Sequence, residues 1–299
     1  MRVFVTGATG FVGNAVVREL LAAGHEVTGL VRLQKAKALD ALGARAVVGK
    51  MQSPESYRDV AAEHDALIHA AAEYSAEGVL ADRSALDTLL DAAREGNGER
   101  QVIYTSGIWV LGDTHGPVYE NAPTDHPAAL VAWRVTHEQI ALEAATDRLA
   151  TAVIRPGMVY GGSGSLVARY FESAEKHGAS QYVGEGRNHV PFIHVEDLAR
   201  FYRAVVESRA RGVFHAVDGE CPLLEDVARA ASEAAGKGGA TRSVPLEEAR
   251  QKMGAMADCL VLDQTVLSRR HGDIGWQPRR SPFLQEAGRA FAEWQASRG

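Results

Sequence analysis

Short apolar runs alternate along the first half of the chain with stretches whose apolar residues recur every three or four positions. Arg2-Val3-Phe4-Val5-Thr6 reads as a strand buried on both faces, and Ala15-Val16-Val17 with Leu20-Leu21 as the inner stripe of a helix. The runs Glu26–Val31, Arg45–Val48, Asp65–Ala70, Gln101–Ser106 and Ala150–Arg155 predict five more strands. Helices are predicted between them over about 36–42, 54–62, 79–94 and 130–145. Ser53-Pro54-Glu55-Ser56 predicts an N-cap with Pro at the first helical position. After Pro156 the pattern loosens. It predicts a helix near Leu166–His177, a strand around Gln181–Val183, a strand at Ile193–Val195 leading into a helix to Glu207, and a strand at Gly212–Val217. Helical stripes return over Leu224–Ala235 and Phe283–Trp294.

Strands that are continuously apolar and separated by helices predict an α/β fold. Its core is a doubly wound parallel sheet covered on both faces, with right-handed crossovers. Residues 1–160, completed by 190–217, form the expected dinucleotide-binding part. Residues 161–189 and 218–299 form a smaller C-terminal substrate lobe.

The chemistry starts where the first strand ends. Gly7, Gly10 and Gly13 carry a strand into a helix, the arrangement that holds a pyrophosphate. One glycine makes the tight turn, one lets the backbone approach the phosphates, and one lets the helix pack on the sheet. Free N–H groups at the helix start face the anion. Gly7, Thr9, Gly10, Phe11 and Val12 are therefore cofactor-binding candidates; the plain alternative is a capped strand–helix turn. Arg32 follows the second strand, where an acid would bind a free ribose hydroxyl and an arginine a 2′-phosphate. With Lys35 and Lys37 close by and no acid before Asp40, the stretch favours NADP(H) over NAD(H). The two lysines also fit an ordinary solvated helix.

Thirty-two Lys and Arg against 38 Asp and Glu give a net charge of −6, which excludes a broad basic surface for nucleic acid. Two cysteines, Cys221 and Cys259, supply neither a disulfide framework nor a metal knuckle. The 11 histidines show no HExxH spacing, so no metal site is expected. With no signal-peptide pattern and no apolar run approaching about 18 residues, a soluble cytoplasmic protein is expected, with no membrane partner.

Several blocks together carry a family resemblance. Thr6-Gly7-Ala8-Thr9-Gly10-Phe11-Val12-Gly13, His69-Ala70-Ala71-Ala72, Arg155-Pro156-Gly157-Met158-Val159-Tyr160-Gly161, Phe192-Ile193-His194-Val195-Glu196-Asp197 and Asp273-Ile274-Gly275-Trp276-Gln277-Pro278 occur in this order. The chain resembles the extended short-chain dehydrogenase/reductase superfamily, the NAD-dependent epimerase/dehydratase group. The resemblance implies a Rossmann fold and cofactor contacts from Ala70, Ala71, Ala72, Thr105, Pro156, Gly157 and Val159. It also implies a Ser/Thr after the fifth strand and a Tyr and Lys four residues apart on the next helix. Those positions fall on Gly107, Trp133 and His137. An indole cannot cycle a proton and glycine has no hydroxyl. His137 can still donate to a ribose hydroxyl and act near neutrality. Tyr74 and Ser106 are the stand-in candidates, with Tyr160 less favoured.

The expectation is an NADP(H)-dependent oxidoreductase acting on a small carbonyl-type molecule with a non-standard proton donor. A silent nucleotide-binding sensor or scaffold competes with it, and sugar-nucleotide epimerisation or dehydration ranks below both. The resemblance also implies a homodimer through the helices at 79–94 and 130–145. The same leucines, Leu86, Leu89 and Leu90, suit packing on the chain's own sheet equally well.

Overall fold

A computed structural model describes residues 1–95, 98–162 and 164–298. Among them, seven parallel strands form the main sheet: β1 (Arg2–Thr6), β2 (Glu26–Val31), β3 (Arg45–Val48), β4 (Ala66–His69), β5 (Arg100–Thr105), β6 (Leu149–Pro156) and β7 (Gly212–Ala216). Their order is β7-β6-β5-β4-β1-β2-β3, so strand order reverses between β1 and β4, and ligands of such sheets bind beyond the strand ends at that crevice. Thr6 stands opposite His69 and Leu30, which brings the ends of β1, β2 and β4 level. This is the expected doubly wound α/β architecture.

Both faces are covered because both faces of every central strand are apolar. On one side helix α1 (Phe11–Ala22) buries Val16, Val17 and Leu20 among Val3, Val5, Val205 and Val206. On the other lie α2 (Ala76–Glu95) and α3 (Ala132–Glu143). Here Leu86, Leu89 and Leu90 are buried with Phe4, Leu67 and Val102, each worth roughly 1.5–3 kcal/mol by area. These leucines pack on the chain's own sheet. Helix α4 (Val195–Ser208) lies beside α1 and shares its core.

A second core gathers Phe171, Phe192, Phe283 and Trp294 beyond the ends of β6 and β7. Two-stranded parallel pieces frame it: Met158–Tyr160 with Phe192–His194, and Ser180–Val183 with Thr241–Val244. The chain passes from β6 into the first of these pieces across Gly157 alone. Gly157 N donates to Ala216 O (2.9 Å) and Met158 N to Pro191 O (2.8 Å).

Local departures have local causes. The helix expected from Pro54 to Ala62 is a 3-10 turn over Pro54–Ser56 and a separate helix over Arg58–Ala62. The break at Tyr57 turns that ring inward, where it stacks on Phe4 at 6.1 Å, and Ser53 makes no side-chain cap. Helix α2 starts at Ala76 rather than near residue 79, because Ser75 Oγ accepts the Gly78 N–H at 3.0 Å. The strand Thr241–Val244 and the helices Leu246–Met253 and Met256–Cys259 carried no strong sequence signal. No helix is long and apolar enough to cross a membrane, among the described residues.

Candidate functional site

The turn between β1 and α1 is closed by sterics. Gly7 has φ +71°, and a Cβ there would lie 2.6 Å from Ala71 N, after β4. A Cβ on Gly13 would lie 2.1 Å from Gly7 O. Gly10 N donates to Gly7 O (2.8 Å), and the first helical bond runs from Asn14 N to Gly10 O (2.9 Å). The amides of Phe11, Val12 and Gly13 thus open the helix without an intrahelical acceptor, as an anion site requires. Arg32 directly follows β2 and is exposed. These residues fit a dinucleotide: a tight turn, open amides and an exposed cation directly after β2.

A cavity of about 260 Å³ lies beyond the ends of β5 and β6. Phe11 and Val12 of the turn form one end, with Ala70 and Ala72 beside them. Thr105, Ser106, Gly107 and Trp109 come from the segment after β5, and Pro156, Gly157, Met158 and Val159 from the β6 exit. Tyr74, 46 % exposed, stands at the rim. The Ser106 Oγ is buried and has no hydrogen-bond partner among the described residues.

Beneath this wall runs a buried polar network drawn from five elements. The Asp82 carboxylate is its hub. Tyr104 OH donates to Oδ1 (2.9 Å), and His137 Nδ1 lies 2.8 Å from the same oxygen. His69 Nε2 lies 3.1 Å from Oδ2 without hydrogen-bond alignment, while its Nδ1 is 2.6 Å from Thr6 Oγ1. Burial by itself would push the Asp82 carboxyl up. The adjoining His69 and His137, with the Arg134 charge, more than offset it and hold this acid well below the usual carboxylate range. Tyr104 is pushed far up by burial and by the neighbouring carboxylate, so it stays a neutral donor. Arg134 Nη1 donates to Thr105 O (2.6 Å) and Tyr104 OH (3.3 Å), and its guanidinium carbon lies 4.5 Å from the Trp133 ring centroid. One turn on, Glu138 and Arg155 form a buried two-point ion pair, with Nη2 to Oε2 at 2.6 Å.

The predicted residues thus separate into two groups. Tyr74, Ser106, Thr105, Ala70, Ala72, Pro156, Gly157, Val159, Phe11 and Val12 surround one cavity. Trp133 and His137 are not among its lining residues. The Trp133 indole donates to Leu130 O (3.1 Å), and His137 is turned to Asp82 and packed edge-on against Trp133 at 5.0 Å. The residue that α3 contributes to the cavity wall is Arg134. Tyr160 lies in the second core, its hydroxyl donating to Ser281 O (3.2 Å). His194 caps α4 by accepting from Glu196 N (3.2 Å) and contacts Glu293. Sequence reading missed Asp82, Tyr104 and Arg134. None of the three left a local signal; Arg134 shares its helix face with His137 and Glu138, a polar stripe that reads as solvated.

A parallel sheet with a glycine turn at its reversal point, opening on a mostly apolar cavity at the same strand ends, defines a doubly wound dinucleotide-binding protein. The chain belongs to the NAD dependent epimerase/dehydratase family, whose sequence model matches residues 3–216. With that family it stands among the extended short-chain dehydrogenase/reductases, NAD(P)-binding Rossmann proteins. It is 30% identical over 298 residues to "Uncharacterized protein YLL056C" of Saccharomyces cerevisiae, covering 96% of this chain and 97% of that one. It is also 30% identical over 224 residues to 2-alkyl-3-oxoalkanoate reductase of Stenotrophomonas maltophilia, covering 71% and 67%. Its fold is similar to the human epimerase family protein SDR39U1 (isoform 2), solved with NADPH. The TM-score is 0.79 at 21% identity over 98% of this chain and 99% of that one. It is similar too to Thermus thermophilus UDP-glucose 4-epimerase in complex with NAD, with TM-score 0.80 at 23% identity over 99% and 100%.

Proposed function

We propose that the chain acts in the cytoplasm as an NADP(H)-dependent oxidoreductase on a small carbonyl substrate, with a proton donor other than the family's tyrosine. Residues 1–160 with 190–217 carry the cofactor in this reading, and 161–189 with 218–299 close the substrate side. The observation that carries it is the continuity of the glycine turn with the cavity, through Phe11 and Val12, which belong to both. The Phe11–Gly13 amides hold the pyrophosphate, and Arg32 pairs with a 2′-phosphate. Ala70 to Ala72 lie beside the cofactor, and Thr105, Pro156, Gly157 and Val159 form the nicotinamide end. His137, its Nδ1 engaged by Asp82, presents Nε2 to a ribose hydroxyl. When bound, the nicotinamide supplies or accepts a hydride. Trp109, Met158 and Leu166 exclude water from the reacting carbon. Tyr74 OH, or a water at the open rim, delivers the proton, and Ser106 orients the substrate oxygen. The relatives whose names describe carbonyl reduction support this reading; the Stenotrophomonas reductase is one.

The test is direct: measure NADPH and NADH binding by fluorescence, then follow NADPH oxidation over a panel of small ketones, aldehydes and imines. Oxidation of NADPH with any of them supports the reading. Tight NADPH binding with no oxidation on any of them, unchanged by Trp133→Tyr, would instead mark a nucleotide-binding sensor or scaffold.

A further inference from the structure

One side chain sets the cavity apart from a purely apolar pocket. Arg134 is its single charged lining residue among those described, set against apolar walls and hydroxyl groups. It is 3 % exposed, and its Nη1 is tied to Thr105 O and Tyr104 OH. Stacking at 4.5 Å from the Trp133 centroid holds the plane of the guanidinium. A guanidinium carries five N–H donors in a rigid fork; the hydrogen bonds to Thr105 O and Tyr104 OH use Nη1, and Tyr74, whose ring centroid lies 5.9 Å from the guanidinium carbon, is the polar neighbour on the cavity side. The charge of Asp82 lies behind Tyr104 and is already shared with His69 and His137. The second polar group is Ser106, 9 % exposed, with an Oγ that has no partner among the described residues. Arg134 is anchored to the carbonyl of Thr105, the residue directly before Ser106. Cation and orphaned hydroxyl therefore meet the cavity one peptide apart, at the end of β5.

A neutral ketone filling this space would cover the remaining guanidinium donors without pairing them, a cost that a carboxylate removes. We propose that the substrate is an oxo acid, a short ketone bearing a carboxylate one or two carbons away. The carboxylate pairs with Arg134 and the keto oxygen lies against Ser106. This rests on the oxidoreductase reading above. In the reductive direction the keto carbon gains a hydride from the reduced nicotinamide nucleotide, which is thereby oxidised. The C=O π pair moves to oxygen, and that oxygen takes one proton from Tyr74 or water, giving a hydroxy acid. Arg134 stays protonated throughout and serves as a binding and specificity residue.

The experiment compares acetoacetate with its methyl ester, two ligands that differ in the carboxylate charge. With NADPH, kcat/KM is measured for each; with NADP+, which cannot reduce them, the Kd of each is measured by calorimetry. The expected result is a preference of about tenfold or more for the acid in both readouts. In Arg134→Gln the ratio falls towards one, and in Arg134→Lys it is partly kept. Equal handling of acid and ester by the unmodified protein, or an Arg134→Gln variant that keeps the ratio, overturns the proposal. If Arg134→Gln loses its cooperative thermal unfolding, the acid-to-ester ratio of the unmodified protein decides alone. Acetoacetate binding without NADPH oxidation overturns the oxidoreductase reading but keeps the anion site. Oxidation with neutral ketones only keeps that reading and overturns the oxo-acid assignment.

Discussion

Asp82 Oδ1 lies 2.8 Å from His137 Nδ1, so a carboxylate on α2 fixes the α3 imidazole that lies behind the cavity wall. An ionised carboxylate only accepts, so Nδ1 carries the hydrogen and Nε2 is the ring's remaining polar atom. Asp82→Asn should cost about 3 kcal/mol, because it removes the charge from a buried network while Arg134 stays. NADPH should bind more weakly to the variant. The folded carboxyl titrates below its unfolded value, so its stabilisation is fully present above about pH 4 and fades as pH falls towards the folded value. Urea midpoints of both proteins from pH 3 to 8 check this. The gap should be level from pH 6 to 8 and narrow in acid; a gap that widens in acid would contradict an ionised hub.

Gly13→Ala should destabilise the protein by about 2 kcal/mol or more, since the added carbon meets a backbone oxygen at 2.1 Å that no side-chain rotation relieves. Thermal unfolding of this variant beside Gly24→Ala separates the steric cause from a general glycine effect. Gly24 has φ +82° but open space around its Cβ position, so its cost is conformational only.

Arg32→Glu should reverse cofactor preference. NADPH affinity should drop about tenfold or more while NADH affinity rises, because the acid repels a 2′-phosphate and accepts from a 2′-hydroxyl. Titration of both nucleotides by fluorescence decides, and parallel losses for the two would detach Arg32 from the ribose.

Asp218, after β7, shows the opposite titration from Asp82. Burial pushes its carboxyl up to about 7, helped by the charges of Glu220 and Asp197, against a bond from Glu220 N to Oδ1 (3.0 Å). The unfolded chain ionises this group near pH 4, so between pH 4 and 7 the folded state binds more protons and stability falls as pH rises. Asp218→Asn should gain on the unmodified protein between pH 5 and 8 by an amount on the order of 2 kcal/mol. Chemical denaturation at the two pH values measures it; an equal gap at both would place the ordinary carboxyl value there.

The main sheet was legible because each central strand is a short apolar run and each crossover a helical stripe, two periods that local sequence shows directly. The glycine turn was legible for the same reason, being contiguous from Thr6 to Gly13. The polar network was not. Thr6, His69, Asp82, Tyr104 and His137 come from separate elements, and Asp82 sits in a helix otherwise bearing ordinary surface charges such as Arg83 and Asp87, which pair with each other. Nothing in its neighbourhood distinguishes the one carboxylate that faces inward. Attention to the family's tyrosine and lysine positions fell on Trp133 and His137, while the helix turns the intervening Arg134 to the cavity. In the C-terminal part, Thr241–Val244 and Thr265–Val266 are strands because Ser180–Val183 and Pro117–Val118 lie alongside them. Their short segments carry too little periodicity to announce it.

The crossing at Gly157 fixes one side of the pocket. From Pro156 to Val159 the wall is stitched by main-chain bonds to the segments around Ala216 and Pro191, and a Cβ at Gly157 would already press on Pro191 O at 2.8 Å. That flank is a fixed jamb. The border at Tyr74, by contrast, is a side chain 46 % exposed to solvent, so the mouth of the pocket has one flank tied by its main chain and one bounded by a side chain.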